Sequence, residues 1–203
     1  MYLFFDTETG GLTPDYSLLT VSAIITDRNF EIVTVHDMDP GVYMRLKYAN
    51  YVTHPKAMEV NGLNLRDHDK HGFTVEEASE VFESFVKEGR AALGASKLIP
   101  AGHNVPFDMR FVQAYLMPDS QWSRYFTHPA FDTCAIARFL TAANLITGGC
   151  GLPALREKFG IHTGASHNAE NDNLATVTLA KKFLELMPKQ MSRFTKGASE
   201  GVM

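Results

Sequence analysis

The stretch Met1-Tyr-Leu-Phe-Phe-Asp-Thr-Glu-Thr-Gly-Gly11 decides the expected fold. Its four consecutive apolar residues, Tyr2 to Phe5, predict a strand that is buried on both faces at the centre of a sheet. Side chains alternate along a strand, so Asp6 and Glu8 leave it on the same face. Two adjacent carboxylates repel each other unless a cation lies between them. This end of the strand is therefore either a metal site or an acidic surface turn.

The composition is that of one α/β domain, with 203 residues of which 45% are hydrophobic and 21% charged. A net charge of −4 means that a nucleic-acid partner would have to be contacted through a local basic track and metal ions. Cys134 and Cys150 are too few for a disulfide framework or a zinc site. Because no signal peptide and no stretch of about 18 apolar residues is present, we expect a cytoplasmic protein that does not contact a membrane.

Hydrophobic periodicity and turn residues place strands and helices along the chain. Strands are predicted at 2–5, 17–26, 30–36, 97–101 and 130–131, with 42–46 extending the edge of the third. Helices are predicted at 56–62, 74–88, 106–116, 133–144, 152–159 and 168–187, and 63–72 reads as irregular. Residues 1–187 are expected to form the domain, and 188–203 a loosely packed or frayed tail.

Three antiparallel strands followed by alternating strands and helices predict an α/β fold with a mixed five-stranded sheet, whose later strands are parallel and which is flanked by helices. This order resembles that of the ribonuclease H-like fold.

Two further acids head apolar helical stripes. Asp108 ends His-Asn-Val-Pro-Phe-Asp, in the first turn of a helix, where it is either a structural residue favoured by the helix dipole or a metal ligand. Asp172 ends His-Asn-Ala-Glu-Asn-Asp. On one helix it would point about 140° away from His167, so the two converge only if His167 lies in the loop before the helix. A loop histidine beside carboxylates can act as a base near neutral pH, although most are simply solvated.

FDTETGG, HNVPFD and HNAENDN, in this order, resemble the three motifs of the DEDDh family of 3′-to-5′ exonucleases. The family includes polymerase proofreading subunits, ribonuclease T and oligoribonuclease. Its pattern is Asp-x-Glu, an Asp that closes His-Asn-x-x-Phe-Asp, and His-x-x-x-x-Asp. The residues that fill this pattern here are Asp6, Glu8, Asp108, His167 and Asp172.

The resemblance implies a two-metal hydrolase that uses Mg²⁺ or Mn²⁺, and four carboxylates without a thiolate suit these ions independently. Asp6 would bridge both ions, Glu8 and Asp172 would hold the ion that binds the attacking water, and Asp108 would support the second. His167 would take the proton from that water. The resemblance further implies substrate contacts from Thr7, Thr9, Gly10, Leu12, Asn104 and Phe107.

The implied activity is 3′-to-5′ hydrolysis at single-stranded DNA 3′ ends, with release of nucleoside 5′-monophosphates. The expected partners are single-stranded 3′ ends, with DNA favoured over RNA, and a polymerase or replication protein. An oligoribonuclease or RNA-trimming enzyme is the alternative within the family. Outside it stand a nucleic-acid-binding scaffold domain, which would be expected to lose a carboxylate, and a ribonuclease H-type endonuclease, which gives no reason for His167.

Overall fold

The computed structural model describes residues 1–35, 40–165 and 167–186. Its five-stranded sheet has the order β3-β2-β1-β4-β5. β1 pairs antiparallel with β2 and parallel with β4, β2 pairs antiparallel with β3, and β4 pairs parallel with β5. The mixed sheet with an antiparallel half and a parallel half confirms the predicted fold class. The strands are β1 (Tyr2–Thr9), β2 (Leu18–Thr26), β3 (Val42–Arg45), β4 (Ile99–Gly102) and β5 (Phe131–Asp132).

Helices cover both faces of the sheet. The helices in the described part of the chain are α1 (Pro55–Asn61), α2 (Leu65–His71), α3 (Val75–Ala92), α4 (Pro106–Tyr115), α5 (Asp119–Tyr125), α6 (Thr133–Ala142), α7 (Leu152–Phe159) and α8 (Ala169–Leu186). On one face, Leu3 and Phe5 of β1 pack with residues of α3, α4 and α5. On the other face, Phe4 packs with Val177 and Ala180 of α8. The alternation of β1 therefore directs Asp6 and Glu8 to the face that α8 covers.

The prediction of a strand at 30–36 is wrong, and the third strand is instead the segment 42–45. Within residues 30–35 the sheet pairing is limited to isolated bridges, such as the one between Thr26 and Ile32. Phe30 has a left-handed backbone (φ 61°) and packs on the α8 face of the sheet, whereas Val35 belongs to the core on the opposite face. The segment still lies beside β2, because the Val33 backbone N–H donates to the Ile25 carbonyl at 2.9 Å, but its pairing does not extend into a continuous strand.

Two helices were not predicted from the sequence. In α2, the Asn64 side chain accepts a hydrogen bond from the Arg66 backbone N–H, and the buried His68 ring contacts the Leu46 carbonyl at 3.1 Å. In α5, Trp122 stacks on Phe126 with ring centroids 4.1 Å apart. Burial against the rest of the fold stabilises both helices. Such burial cannot be predicted from a short, largely polar segment of sequence.

Two helix ends have characteristic capping residues. Thr74 and Glu77 form a capping box at the start of α3, and Gly62 ends α1 in the left-handed conformation. The predicted tail lies outside the described residues, and the domain boundary at 187 stays a prediction. Among the described residues, no helix combines the length and apolar character needed to cross a bilayer.

Candidate active site

Three carboxylates of the predicted motifs meet at the end of β1. Ligand oxygens of Asp6, Glu8 and Asp172 all lie within 4.8 Å of one another. Asn173 anchors α8 to the sheet beside them, because its amide donates to the Phe4 carbonyl and to the Ser22 hydroxyl, both at 3.1 Å. The acids come from distant parts of the chain, and the packing of α8 on β1 brings them together.

The glycines after β1 allow the backbone to turn in a crowded place. A Cβ at Gly10 would lie 2.4 Å from the Val52 carbonyl oxygen, and one at Gly11 would lie 2.3 Å from the Tyr16 ring. The Gly10 backbone N–H donates to the Ser17 carbonyl at 2.8 Å. Glycine is thus required at both positions by close packing, which is an explanation independent of substrate contact.

The third motif folds as the convergence argument requires. Asn168 caps α8 through its side-chain oxygen, which accepts from the backbone N–H groups of Glu170 and Asn171. Asp172 is therefore in the first turns of the helix, and His167 lies in the preceding loop with its side chain exposed. The His167 backbone N–H donates to Asp172 Oδ2 at 2.9 Å, with His167 in the left-handed region (φ 59°).

Asp108 approaches from the opposite face of the sheet. It is buried in the first turn of α4, and its Oδ1 accepts both the Thr7 hydroxyl at 2.7 Å and the Thr7 backbone N–H at 2.9 Å. It does not belong to the group of three carboxylates whose oxygens lie within 4.8 Å. Thr7 lies between Asp6 and Glu8 in β1 and points to the opposite face, where its hydrogen bonds hold Asp108 beside that group.

The electrostatics of the site favour a bound cation. Desolvation, and then the negative charges of Asp108, Glu8 and Asp172, raise the pKa of Asp6 well above its usual value. Desolvation and the carboxylates of Asp172 and Asp108 raise the pKa of Glu8 to about 8. Desolvation raises the pKa of Asp108 to about 7 against the opposing effect of the Thr7 hydrogen bonds. Oxygen donors that repel one another in a desolvated site fit a hard divalent cation.

An open cleft of about 440 Å³ adjoins the carboxylates. Leu12 lines the cleft with 77% of its surface exposed, and Phe107, which also lines it, is partly buried. Four of the predicted substrate residues line this cleft, and Gly10 and Asn104 do not. Asn104 instead donates its backbone N–H to Asp132 Oδ1 at 2.8 Å. The lining residues are Thr7, Glu8, Thr9, Gly11, Leu12, Tyr16, His54, Lys56, Ala57, Val60, Asn61 and Phe107.

Sequence reasoning missed several side chains at the site. Tyr16, His54 and Lys56 line the cleft, but they lie in a turn and at the start of a short helix, where no periodic pattern marks them. Arg156 of α7 donates from Nη1 to Asp172 Oδ1 at 2.8 Å and is buried. Asp132, by contrast, is the N-cap of α6, since its Oδ1 accepts the Cys134 backbone N–H at 2.9 Å.

Comparison with protein families gives the same assignment as the site. A family described as exonuclease, the RNase T family, matches residues 3–180. The chain belongs to this exonuclease family. Its members are DEDDh 3′-to-5′ exonucleases, and the enzyme is accordingly a nucleic-acid hydrolase.

Two kinds of curated relative are similar to this exonuclease. Ribonuclease T of Blochmanniella pennsylvanica is 26% identical over 188 residues, which cover 91% of the chain and 82% of the relative. Ribonuclease T of Escherichia coli strain K12 is 28% identical over 154 residues, 71% of the chain and 68% of the relative. Exodeoxyribonuclease I of Buchnera aphidicola is 26% identical over 214 residues, but the chain spans only 42% of its length.

The fold is that of solved exonuclease I structures. A zinc-bound E. coli exonuclease I complex with single-stranded DNA has a TM-score of 0.74 at 21% identity, over 96% of this chain and 42% of that one. The E. coli enzyme with a dT13 oligonucleotide has a TM-score of 0.71 at 21% identity, over 96% and 43%. At this identity the likeness shows the ribonuclease H-like fold, and the chain spans less than half of the length of these structures.

Proposed function

We propose that this exonuclease removes nucleotides from the 3′ ends of single-stranded DNA by a two-metal mechanism and releases nucleoside 5′-monophosphates. The observation that carries the proposal is the convergence of Asp6, Glu8 and Asp172 beside an open, largely apolar cleft. A metal site that adjoins a place for a base is what a phosphodiesterase acting on a chain end needs.

Each acid has a proposed position around the ions. Asp6 is central, because the charges of the other three acids all act on it. Glu8 and Asp172 share the α8 side of the site, and Asp108 lies on the other side of β1 with one oxygen held by Thr7. When bound, two divalent ions supply an activated water and charge stabilisation at the leaving oxygen.

His167 is proposed as the general base. Its backbone N–H is hydrogen-bonded to Asp172, so the exposed His167 residue lies at the edge of the carboxylate group. Histidine is a common general base near neutral pH. It is not needed as a metal ligand here, because four carboxylates are present. Its role would be to take the proton from the attacking water.

The cleft fits an unpaired base. Leu12 and Phe107 supply exposed or partly exposed apolar surface, and the Tyr16 ring lies edge-on to the His54 ring at the start of α1, with centroids 6.4 Å apart. Stacking of bases on such side chains tolerates any sequence, because every base has a π face. Leu12 would separate the terminal nucleotide from the rest of the strand, and Lys56 would meet the phosphates.

The sugar of the substrate is proposed to be deoxyribose, with ribose as the second candidate. Two solved structures of similar fold are exonuclease I complexes with single-stranded DNA or a dT13 oligonucleotide, which supports DNA. The relatives called ribonuclease T, which the chain matches over most of their length, support an RNA-trimming enzyme as the second candidate. Contact with the 2′-hydroxyl would distinguish them. The expected polymerase or replication partner stays a prediction; one structure of similar fold is an exonuclease I complex with SSB-Ct.

The test is digestion of matched 5′-labelled single-stranded DNA and RNA with Mg²⁺ or Mn²⁺. We expect a ladder that shortens from the unlabelled end, faster on DNA, and nucleoside 5′-monophosphates as the product. Cleavage of closed circular single strands, or activity that persists in EDTA, would refute the exonuclease mechanism. Faster digestion of RNA would show that the enzyme is the second candidate, an RNA-trimming exonuclease.

A further inference from the structure

A buried arginine is bonded directly to one of the site's carboxylates. Arg156 of α7 is 8% exposed, and its Nη1 donates to Asp172 Oδ1 at 2.8 Å. Its Nη2 donates to the Gly164 carbonyl at 2.6 Å. Arginine is seldom buried unless its planar guanidinium is paired, and here it joins two partners from different segments.

Asp172 and Gly164, both bonded to Arg156, belong to one network. Asp172 Oδ2 accepts the His167 backbone N–H, so the carboxylate and the guanidinium together connect Gly164 to His167. The Thr163 hydroxyl also donates to the Asn171 carbonyl at 2.8 Å. The loop before α8 is thus attached to the first turns of that helix at several points.

The same loop contains two left-handed residues, Gly164 (φ 110°) and His167 (φ 59°). A non-glycine residue in this region is disfavoured and persists only where its surroundings hold it. The His167 backbone is held by Asp172, and Asp172 is held by Arg156. Loss of the guanidinium would release both at once.

Helix packing alone does not require this ion pair. Leu152 and Leu155 already bury the inner side of α7 against Leu179 and Phe183 of α8. A buried ion pair is no better than apolar side chains of similar volume as a source of stability, because both charges lose their hydration. A role at the carboxylate explains the charge where a packing role does not.

We propose that Arg156 is a positioning residue, which holds the Asp172 carboxylate and the loop of His167 in the single arrangement that metal binding and base catalysis use. It acts through Asp172 and touches neither substrate nor reacting atoms. Only one lone pair of each Asp172 oxygen is used by these bonds, so the carboxylate keeps acceptor capacity for a cation. The inference rests on the proposed function for its catalytic part, and on the hydrogen bonds for its structural part.

The test compares Arg156→Lys and Arg156→Met with wild type. Lysine keeps the charge but lacks the fork that reaches Asp172 and Gly164 together, whereas methionine keeps the volume without the charge. Lys158→Met is the matched control, since it removes an exposed cation of the same helix, whose amine donates to the Thr147 hydroxyl at 3.3 Å and not to a residue of the carboxylate group. All proteins are first checked by their melting temperatures, and Arg156→Lys suffices if Arg156→Met does not fold.

Two measurements do not depend on activity. In metal-free protein, the His167 amide should exchange with solvent at least tenfold faster in both Arg156 variants than in wild type. Calorimetric binding of Mn²⁺ should weaken by about 10–100-fold, the usual effect of removing a partner of a metal ligand. The control variant should match wild type in both.

The activity measurement separates positioning from substrate binding. On single-stranded DNA, kcat should fall by about 10–100-fold with KM within twofold of wild type. Unchanged His167 exchange and Mn²⁺ affinity in the Arg156 variants would overturn the inference, whatever the activity. An inactive wild type that still shows the exchange and Mn²⁺ effects would refute the proposed function and leave the positioning role supported.

Discussion

The stability of the metal-free enzyme should fall as the pH rises. Glu8 has its pKa raised from 4.5 to about 8 in the folded protein, chiefly by desolvation and by Asp172. A carboxyl group that binds its proton more tightly when folded stabilises the fold fully below its unfolded pKa. That contribution is lost as the pH rises through the folded pKa. The window for Glu8 therefore runs from about pH 4.5 to about pH 8, and Asp6, whose pKa is also raised, adds to it.

The size of the effect follows from the Glu8 pKa. A displacement of one pKa unit corresponds to about 1.4 kcal/mol, so the full change would be about 5 kcal/mol. Glu8 is partly open to solvent, and screening reduces this to roughly 2 kcal/mol. For a protein of this size, 1 kcal/mol moves the melting temperature by about 2–4 °C, so the loss attributable to Glu8 is about 4–8 °C.

The assay is calorimetric melting in EDTA across this pH range, for wild type, Glu8→Gln and the exposed-surface control Glu80→Gln. The difference between wild type and Glu8→Gln reports the titration of Glu8 together with its effect on the pKa of Asp6. As the pH rises, the melting temperature of wild type should fall by several degrees relative to that of Glu8→Gln. Saturating Mg²⁺ should offset this loss, because the cation neutralises the charged carboxylates. Parallel melting curves for wild type and Glu8→Gln would refute the electrostatic reasoning.

Three other changes have expected outcomes. His167→Ala should lower kcat by about 10²–10⁴-fold at saturating metal while Mn²⁺ stays bound, and a full wild-type rate would show that the base lies elsewhere. Phe107→Ala should weaken single-strand binding by about 1–3 kcal/mol in a fluorescence titration, with the exposed Phe139→Ala as control; equal effects of the two would contradict a stacking role. Asp132→Ala should lower the free energy of unfolding in urea by about 1 kcal/mol, because it uncaps α6, and an unchanged midpoint would contradict this.

The sheet and the motif residues could be predicted from the sequence because both depend on local patterns of residues. The apolar run before Asp6 indicated a central strand, and the position of His167 followed from the requirement that it converge with Asp172. The segment 30–36 alternates like a strand, and residues 30–35 do lie beside β2, but their pairing is limited to isolated bridges. The left-handed backbone at Phe30, which no local pattern predicts, interrupts the extended conformation.

The rest of the site could not be read from the chain. Tyr16, His54 and Lys56 reach the cleft because of how the turn after β1 packs on α1, which leaves no spacing signature. Arg156 lies in the predicted helix 152–159, next to the buried Leu155. Nothing in the sequence indicates that the guanidinium turns inward, because its partners Asp172 and Gly164 are fixed by the packing of α7 on α8.

The central claim, that these carboxylates form a two-metal centre, is tested most directly by anomalous diffraction from crystals grown with Mn²⁺ and a nucleoside 5′-monophosphate. We expect two Mn²⁺ peaks about 3.5–4 Å apart, with Asp6 between them and Glu8 and Asp172 on the same ion. Asp6→Asn crystals should lose at least one peak. Mn²⁺ bound only away from these residues, or the same two peaks in Asp6→Asn, would contradict it.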